Sequence, residues 1–169
     1  MNRKFYYKNQ LPIVCLLQNQ PQAIAMIKGS ETYSDICGIV KFYQICNGVI
    51  VYAEINNLPK ENDTCDNKIF GFHIHSGTSC TGNEKDPFAN ALTHDNPDNC
   101  KHPYHAGDFP PLFGNEGKAL SIFLTNRFCM NEIIGKTIII HDSPDDFHTQ
   151  PSGNSGNKIA CGVINKFCK

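Results

Sequence analysis

The stretch "CGIVKFYQICNGVIVYAEI", residues 37–55, decides the fold class. Its two halves, 37–45 and 48–55, are rich in β-branched and aromatic residues, which favour strands. Between them "CNG" supplies Asn47 and Gly48, the residue pair that tight turns between antiparallel strands prefer. The stretch therefore predicts a β-hairpin.

Short apolar runs of the same kind continue along the chain, separated by Gly, Asn, Pro and Asp. The one helical pattern, in residues 126–136, is as short as a single turn. We therefore predict seven or eight strands in an antiparallel sandwich or barrel. The further predicted strands are 23–29, 69–75, 118–124, 137–141 and 159–164.

Two intervals, 76–117 and 142–158, lack strand character and are longer than a hairpin needs. Long ordered loops in a compact β domain usually carry function. We expect both loops to be functional.

Composition excludes two classes of protein. The 169 residues include 40% hydrophobic side chains, enough for the core of one domain, and the formal net charge is −1. A near-neutral chain has no basic face for nucleic acid. No apolar run is long enough to span a membrane.

The first twenty residues begin basic, but their apolar stretch is short and no cleavage site follows it. We therefore predict no signal peptide and a cytoplasmic location. Nine cysteines argue the other way, because disulfides are rare in the cytoplasm. Cys37 and Cys46 are predicted to be small buried hydrophobic residues.

Six of the seven histidines lie at strand ends or within the first long loop. His73 and His75 alternate along one strand and share a face, and His141 ends the run "TIIIH". Imidazoles with one carboxylate suit zinc or copper, so the cluster predicts a metal site, whereas His148 is predicted to be a solvated loop residue. The loop donors are His94, His102, His105 and Asp108.

Five motifs together resemble the copper/zinc superoxide dismutases and occur in that family's order. The resemblance covers about residues 22–165, so we expect 22–169 to be one domain and 1–21 to be an N-terminal arm of uncertain structure. The motifs are "GFHIHSGTSC" (71–80), "THDNP" (93–97), "HPYHAGDFPPLF" (102–113), "GKTIIIHDSPDDF" (135–147) and "PSGNSGNKIACGVI" (151–164).

The resemblance implies an eight-stranded antiparallel Greek-key β-barrel or sandwich, immunoglobulin-like in architecture, with two long functional loops. It implies an enzyme that disproportionates superoxide by copper redox cycling, with zinc as a structural and tuning metal. The expected copper ligands are His73, His75, His94 and His141, and the expected zinc ligands are His94, His102, His105 and Asp108.

Further roles follow from the same resemblance. His94 is expected to bridge the metals and carry a proton, and Lys158 to guide superoxide. Asp145 is expected to accept hydrogen bonds from one ligand of each metal. A disulfide is expected between Cys80 and Cys161.

The chain departs from the family pattern at Lys158, in the spacing of His102 and His105, and at Ser76, where the family commonly has glutamate. Lys158 stands where the family usually has arginine, which keeps the charge and loses the planar donor pair. Only two residues separate His102 from His105, fewer than usual, which leaves a degenerate zinc site and a copper-only enzyme as an alternative. Cys100, close to His102, is a candidate substitute ligand, although a free or disulfide-bonded loop cysteine is favoured.

Two other functions remain open at this stage. One is a non-enzymatic copper-binding module for storage or delivery. The other is a bare adhesion sandwich, which would leave the histidines unexplained. A homodimer is one assembly that the sequence permits, and no membrane or nucleic-acid partner is expected.

Overall fold

A computed structural model describes residues 17–60 and 68–168 of the chain. The predicted N-terminal arm therefore lies mostly outside the described residues. These residues form nine strands, listed here in chain order: β1 (Ala23–Gly29), β2 (Cys37–Ile45), β3 (Gly48–Asn56), β4 (Ile69–Phe70), β5 (Phe72–His75), β6 (Leu112–Phe113), β7 (Ala119–Thr125), β8 (Thr137–His141) and β9 (Lys158–Lys166).

Seven strands form one curled antiparallel sheet in the order β5-β8-β9-β1-β2-β3-β7. The predicted hairpin is part of this sheet, with β2 and β3 paired from Cys37 opposite Asn56 to Ile45 opposite Gly48. Chain order and sheet order differ, as a Greek-key fold requires. The predicted all-β antiparallel architecture is confirmed.

The strand count is nine because Gly71 divides the predicted strand 69–75 and because β6 adds a short strand that the sequence does not predict. The amide of Gly71 donates to the carbonyl of Ser143 and its carbonyl accepts from the amide of His141. A Cβ at this position would lie 2.9 Å from Cβ of Ser155, so only glycine lets the second loop approach so closely. β4 therefore pairs with β6 in a separate two-stranded sheet.

Alternation along the strands builds the core. In β3 the inward residues Val49, Val51, Ala53 and Ile55 are fully buried, because successive side chains of a strand point to opposite faces. Phe109 joins this core from the first long loop, with its ring centroid 5.3 Å from that of Phe72. The loop is thus attached to the sheet by apolar packing.

Short helical turns occur at Glu31–Tyr33, at Ala89–Ala91 and in α1 (Met130–Ile133). The predicted single turn in 126–136 is confirmed by α1. No helix in residues 17–60 and 68–168 has the length and apolar character that crossing a membrane requires.

The predicted burial of Cys37 and Cys46 is wrong, since both are exposed. Cys37 lies on the outward side of β2, and Cys46 lies in the turn. The predicted disulfide between Cys80 and Cys161 is present. It joins the first long loop to β9, next to a small cluster that contains Phe88 and Ile139.

Candidate metal centre

Four buried imidazoles converge where β5 and β8 meet the first long loop. We call His73, His75, His94 and His141 the four-histidine set. One ring nitrogen from each lies within 4.8 Å of the others. Two of the residues come from β5, one from β8 and one from the loop, where His94 forms an isolated bridge with His75. The alternation that placed His73 and His75 on one face therefore brings both rings to one point.

A second group of donors lies beside the first. We call His94, His102, His105 and Asp108 the loop set; their donor atoms also lie within 4.8 Å of one another, and all four residues are buried. His94 belongs to both sets. Nδ1 of His94 lies 2.8 Å from Oδ1 of Asp108, so its two ring nitrogens serve different groups.

Hydrogen bonds on the far side of each ring decide which nitrogen remains available. Nδ1 of His75 donates to the carbonyl of Leu92 at 3.0 Å, and Nδ1 of His141 donates to that of Gly156 at 3.3 Å. In a neutral imidazole the other nitrogen then carries a lone pair. These two Nε2 atoms are 3.2 Å apart. Two lone pairs that face each other so closely require a cation between them or beside them.

Asp145 fixes one ring of each set. Nε2 of His73 donates to its Oδ2 at 2.7 Å, and Nε2 of His102 donates to its Oδ1 at 2.8 Å. The Nδ1 atom of each ring then carries the lone pair that can bind a metal. Both Nδ1 atoms are buried without a hydrogen-bond partner among the described residues. A carboxylate in this position orients ligating imidazoles and raises their basicity.

The loop set is similarly prepared for a cation. Nδ1 of His102 and Nδ1 of His105 lie 3.1 and 3.3 Å from Oδ2 of Asp108. Both atoms nevertheless lack a hydrogen bond with acceptable geometry. Three nitrogens and a carboxylate oxygen are a common tetrahedral donor set for zinc. Nε2 of His94 is also buried without a partner in the described part of the chain and faces the four-histidine set.

Burial favours the neutral form of His73, His75 and His141, which is the form that binds a metal. Desolvation lowers the pKa of His73 and of His75 well below the usual range. Desolvation is also the main cause that lowers the pKa of His141 to about 4. For Asp108, burial acts to raise the pKa, but the hydrogen bond from His94 and the neighbouring histidines outweigh it and lower the pKa. The carboxylate of Asp108 therefore stays ionised among the histidines.

A cavity of about 540 Å³ leads from the surface to these rings, and His75, His94, His141 and Lys158 line it. Nζ of Lys158 donates to Oδ2 of Asp86 at 2.7 Å and to the carbonyl of Phe88 at 3.1 Å. Lys158 is thus at the mouth of the cavity, as the sequence predicted, but its charge is paired. Cys100 also lines the cavity, is exposed and belongs to neither donor set.

Several residues that support the site escaped the sequence analysis. Asp95, which follows His94, is buried and receives both of its hydrogen bonds at 2.7 Å from Nζ of Lys136. Arg127 binds the backbone of the loop set. Asp86 and Arg127 stand in polar turns, and no local pattern connects them with residues far along the chain. Only a three-dimensional structure relates them to the histidines.

His148 is the one histidine of the chain that belongs to neither donor set. Its side chain is 81% exposed, and Nδ1 contacts Asp146 rather than either donor set. The prediction that His148 is a solvated loop residue is confirmed.

Comparison with known proteins gives a consistent result. Residues 36–164 match the family model described as "Copper/zinc superoxide dismutase (SODC)". The chain is 31% identical over 156 residues to "Superoxide dismutase [Cu-Zn] 1" of Aquifex aeolicus (strain VF5), a match that covers 79% of this chain and 87% of that protein. It is 30% identical over 163 residues to "Superoxide dismutase [Cu-Zn] A" of Xenopus laevis, covering 87% of this chain and 98% of that protein.

A solved structure supports the fold. The "Cu/Zn superoxide dismutase from Brucella abortus" superposes with a TM-score of 0.70 at 23% sequence identity. The superposition covers 83% of this chain and 98% of that one. The curled sheet described above is therefore the same fold.

Proposed function

Because the chain belongs to the copper/zinc superoxide dismutase family, we propose that it is a superoxide dismutase. The reaction converts two superoxide ions and two protons to one molecule of oxygen and one of hydrogen peroxide. The observation that carries the proposal is the convergence of four buried imidazoles from separate parts of the chain.

The four-histidine set fits copper, and the loop set fits zinc. Imidazole nitrogens suit copper and zinc ions, and the carboxylate of Asp108 completes a set of four for zinc. Copper, when bound, supplies a one-electron couple that accepts an electron from one superoxide and returns it to another. The complete loop set argues against the copper-only alternative.

The chain supplies three further functions around the metals. Asp145 holds His73 and His102 in the tautomer that leaves each Nδ1 free to bind. Nε2 of His94 is the atom that takes up a proton and passes it to the peroxide product. Lys158 provides positive charge at the mouth of the cavity, where an anionic substrate enters.

The test combines metal analysis with kinetics. Protein loaded with both metals should contain one copper and one zinc per chain and should remove superoxide at a rate that falls as ionic strength rises. His75→Ala should lose copper and activity. The matched control is His148→Ala, which removes an exposed imidazole outside both sets and should retain both.

One observation favours a second function, a copper-binding module without turnover. The ammonium of Lys158 is already paired with Asp86, which weakens the attraction for superoxide. Copper bound at one ion per chain with no superoxide removal would establish this module and exclude the enzyme. The homodimer and the cytoplasmic location expected from the sequence stay predictions.

A further inference from the structure

The loop set is carried by a short segment with little regular structure. His102, His105 and Asp108 occupy seven residues of the first long loop, and only two residues separate each donor from the next. The backbone bonds inside this segment are few. One is the bond from the amide of Asp108 to the carbonyl of His105, at 3.3 Å. A segment of this kind needs support from outside to hold three donors in one geometry.

Arg127 supplies that support from the connection between β7 and α1. Its Nη1 lies 3.0 Å from the carbonyl oxygen of Pro103, 3.1 Å from that of His105 and 3.2 Å from that of Asp108. Two of the three carbonyls belong to residues whose side chains are donors in the loop set. The guanidinium therefore binds the backbone of the donors themselves.

The positive charge of Arg127 strengthens this contact and does not depend on pH. A guanidinium stays protonated at any physiological pH, and hydrogen bonds from a charged donor are about twice as strong as neutral ones. The side chain is exposed and lines a groove together with Pro103, Phe123 and Phe147. The three carbonyls consequently point towards Arg127, and the orientation of their peptide planes is fixed.

The four-histidine set has a different support. His73 and His75 belong to β5, and His141 ends β8, so sheet hydrogen bonds hold three of its four members. Only His94 is shared with the loop set. Loss of the Arg127 contact should therefore affect the two sets unequally.

We propose that Arg127 is a positioning residue that preorganises the shortened loop to bind zinc, and that zinc affinity depends on it far more than copper affinity does. The inference rests on the assignment of the loop set to zinc in the proposed function. The proposed role of Arg127 does not depend on whether the protein reacts with superoxide. It explains how a loop with so few residues between its donors still closes around an ion.

The test uses cobalt(II), which binds tetrahedral zinc sites and absorbs visible light with an intensity and band shape that depend on its coordination geometry. Cobalt is titrated into the full chain after copper has filled the four-histidine set. Arg127→Ala should weaken cobalt binding by roughly 10- to 100-fold, the usual cost of removing a group that supports metal ligands. Its absorption spectrum should also change in shape. Copper affinity, measured separately by competition with a chelator, should change by less than about threefold.

Two variants separate positioning from general stability. Arg127→Lys restores the charge with a single ammonium and should recover part of the cobalt affinity. Lys101→Ala removes an exposed cation from the same loop and should bind cobalt like the parent. If Arg127→Ala binds cobalt with unchanged affinity and spectrum, the proposal is overturned. Equal losses of copper and cobalt affinity would overturn it as well, because they would indicate a general loss of structure.

Failure of the proposed function gives a different result. A parent protein that binds cobalt normally but does not remove superoxide would refute the enzyme and leave the role of Arg127 supported. A parent that binds no cobalt in the loop set would overturn the positioning role, whatever its activity towards superoxide.

Discussion

The ammonium of Lys158 is bound to the carboxylate of Asp86, with 2.7 Å between Nζ and Oδ2. The carboxylate is the more exposed partner, with 39% of its side chain accessible against 14% for Lys158. The pair stands at the mouth of the cavity that leads to His75 and His141. The positive charge of Lys158 at this cavity is thus partly neutralised by an acidic neighbour.

Asp86→Asn should speed superoxide removal by the copper-loaded protein. The amide keeps a hydrogen-bond acceptor for Lys158 and removes the opposing charge, so the potential at the cavity mouth becomes more positive. We expect a rise of about two- to fivefold at low ionic strength, with a steeper decline on adding salt. Glu84→Gln, which removes an exposed carboxylate nearby in sequence, is the control and should change the rate less. A slower Asp86→Asn variant would contradict the expectation.

Lys158→Glu should depress the rate clearly, because it places two carboxylates at the mouth where an anion must pass. Lys158→Arg should match or exceed the parent, since arginine offers two parallel donors to a small anion. Stopped-flow measurement of superoxide decay compares the two variants. A Lys158→Glu protein as fast as the parent would show that the residue does not influence substrate entry.

Gly153→Ala should destabilise the folded protein more than the same substitution at a glycine with open space around it. Gly153 has φ +66°, and a Cβ there would collide with Oδ1 of Asp145 and lie 2.6 Å from Nε2 of His102. Gly135 has φ +87° but no atom within 4 Å of an added Cβ, so Gly135→Ala carries the backbone cost alone, about 1 kcal/mol. Urea unfolding should show roughly 1–3 kcal/mol more destabilisation for Gly153→Ala, from displacement of a buried hydrogen-bonded carboxylate. Equal losses for the two variants would refute the steric argument.

Stability of the metal-free protein should fall as pH decreases from about 6.5 to 4. Burial lowers the pKa of His141 from 6.5 to about 4, so in this range the unfolded chain binds a proton that the folded chain does not. The free energy of unfolding has its full value above pH 6.5 and declines below it. His141 alone contributes on the order of 3 kcal/mol to this decline. His73 and His75 act in the same direction. Urea titrations between pH 7 and pH 4 measure the effect, and a flat profile would contradict it.

The sequence predicts the strands well because their signals are local. Residue alternation and the Asn47–Gly48 turn set the bounds of β1, β2 and β8 as the structure has them. The same alternation predicts that His73 and His75 share a face. The interruption at Gly71 was missed because its cause, the approach of the second loop to β5, is a contact between distant segments.

The family resemblance predicts the contacts of Asp145 with His73 and His102, but the other supporting contacts of the site are long-range and could not be predicted. Asp86 lies 72 residues before Lys158, and Arg127 lies 22 residues after His105. The carbonyls of Leu92 and Gly156 select the tautomers of His75 and His141. Any residue type supplies such a backbone carbonyl. Histidine spacing identifies the donors, whereas their orientation depends on loop conformations that no short motif encodes.

His94 belongs to both donor sets, and Asp145 is hydrogen-bonded to one ring of each. Binding of an ion at one set is therefore thermodynamically linked to binding at the other. An ion that enters the loop set orders His102 and, through the carboxylate of Asp145, steadies His73 in the other set. Linkage is reciprocal, so copper must raise the affinity for zinc by the same factor as zinc raises the affinity for copper. Loading of this protein should therefore be cooperative, with half-filled molecules scarcer than independent sites would produce.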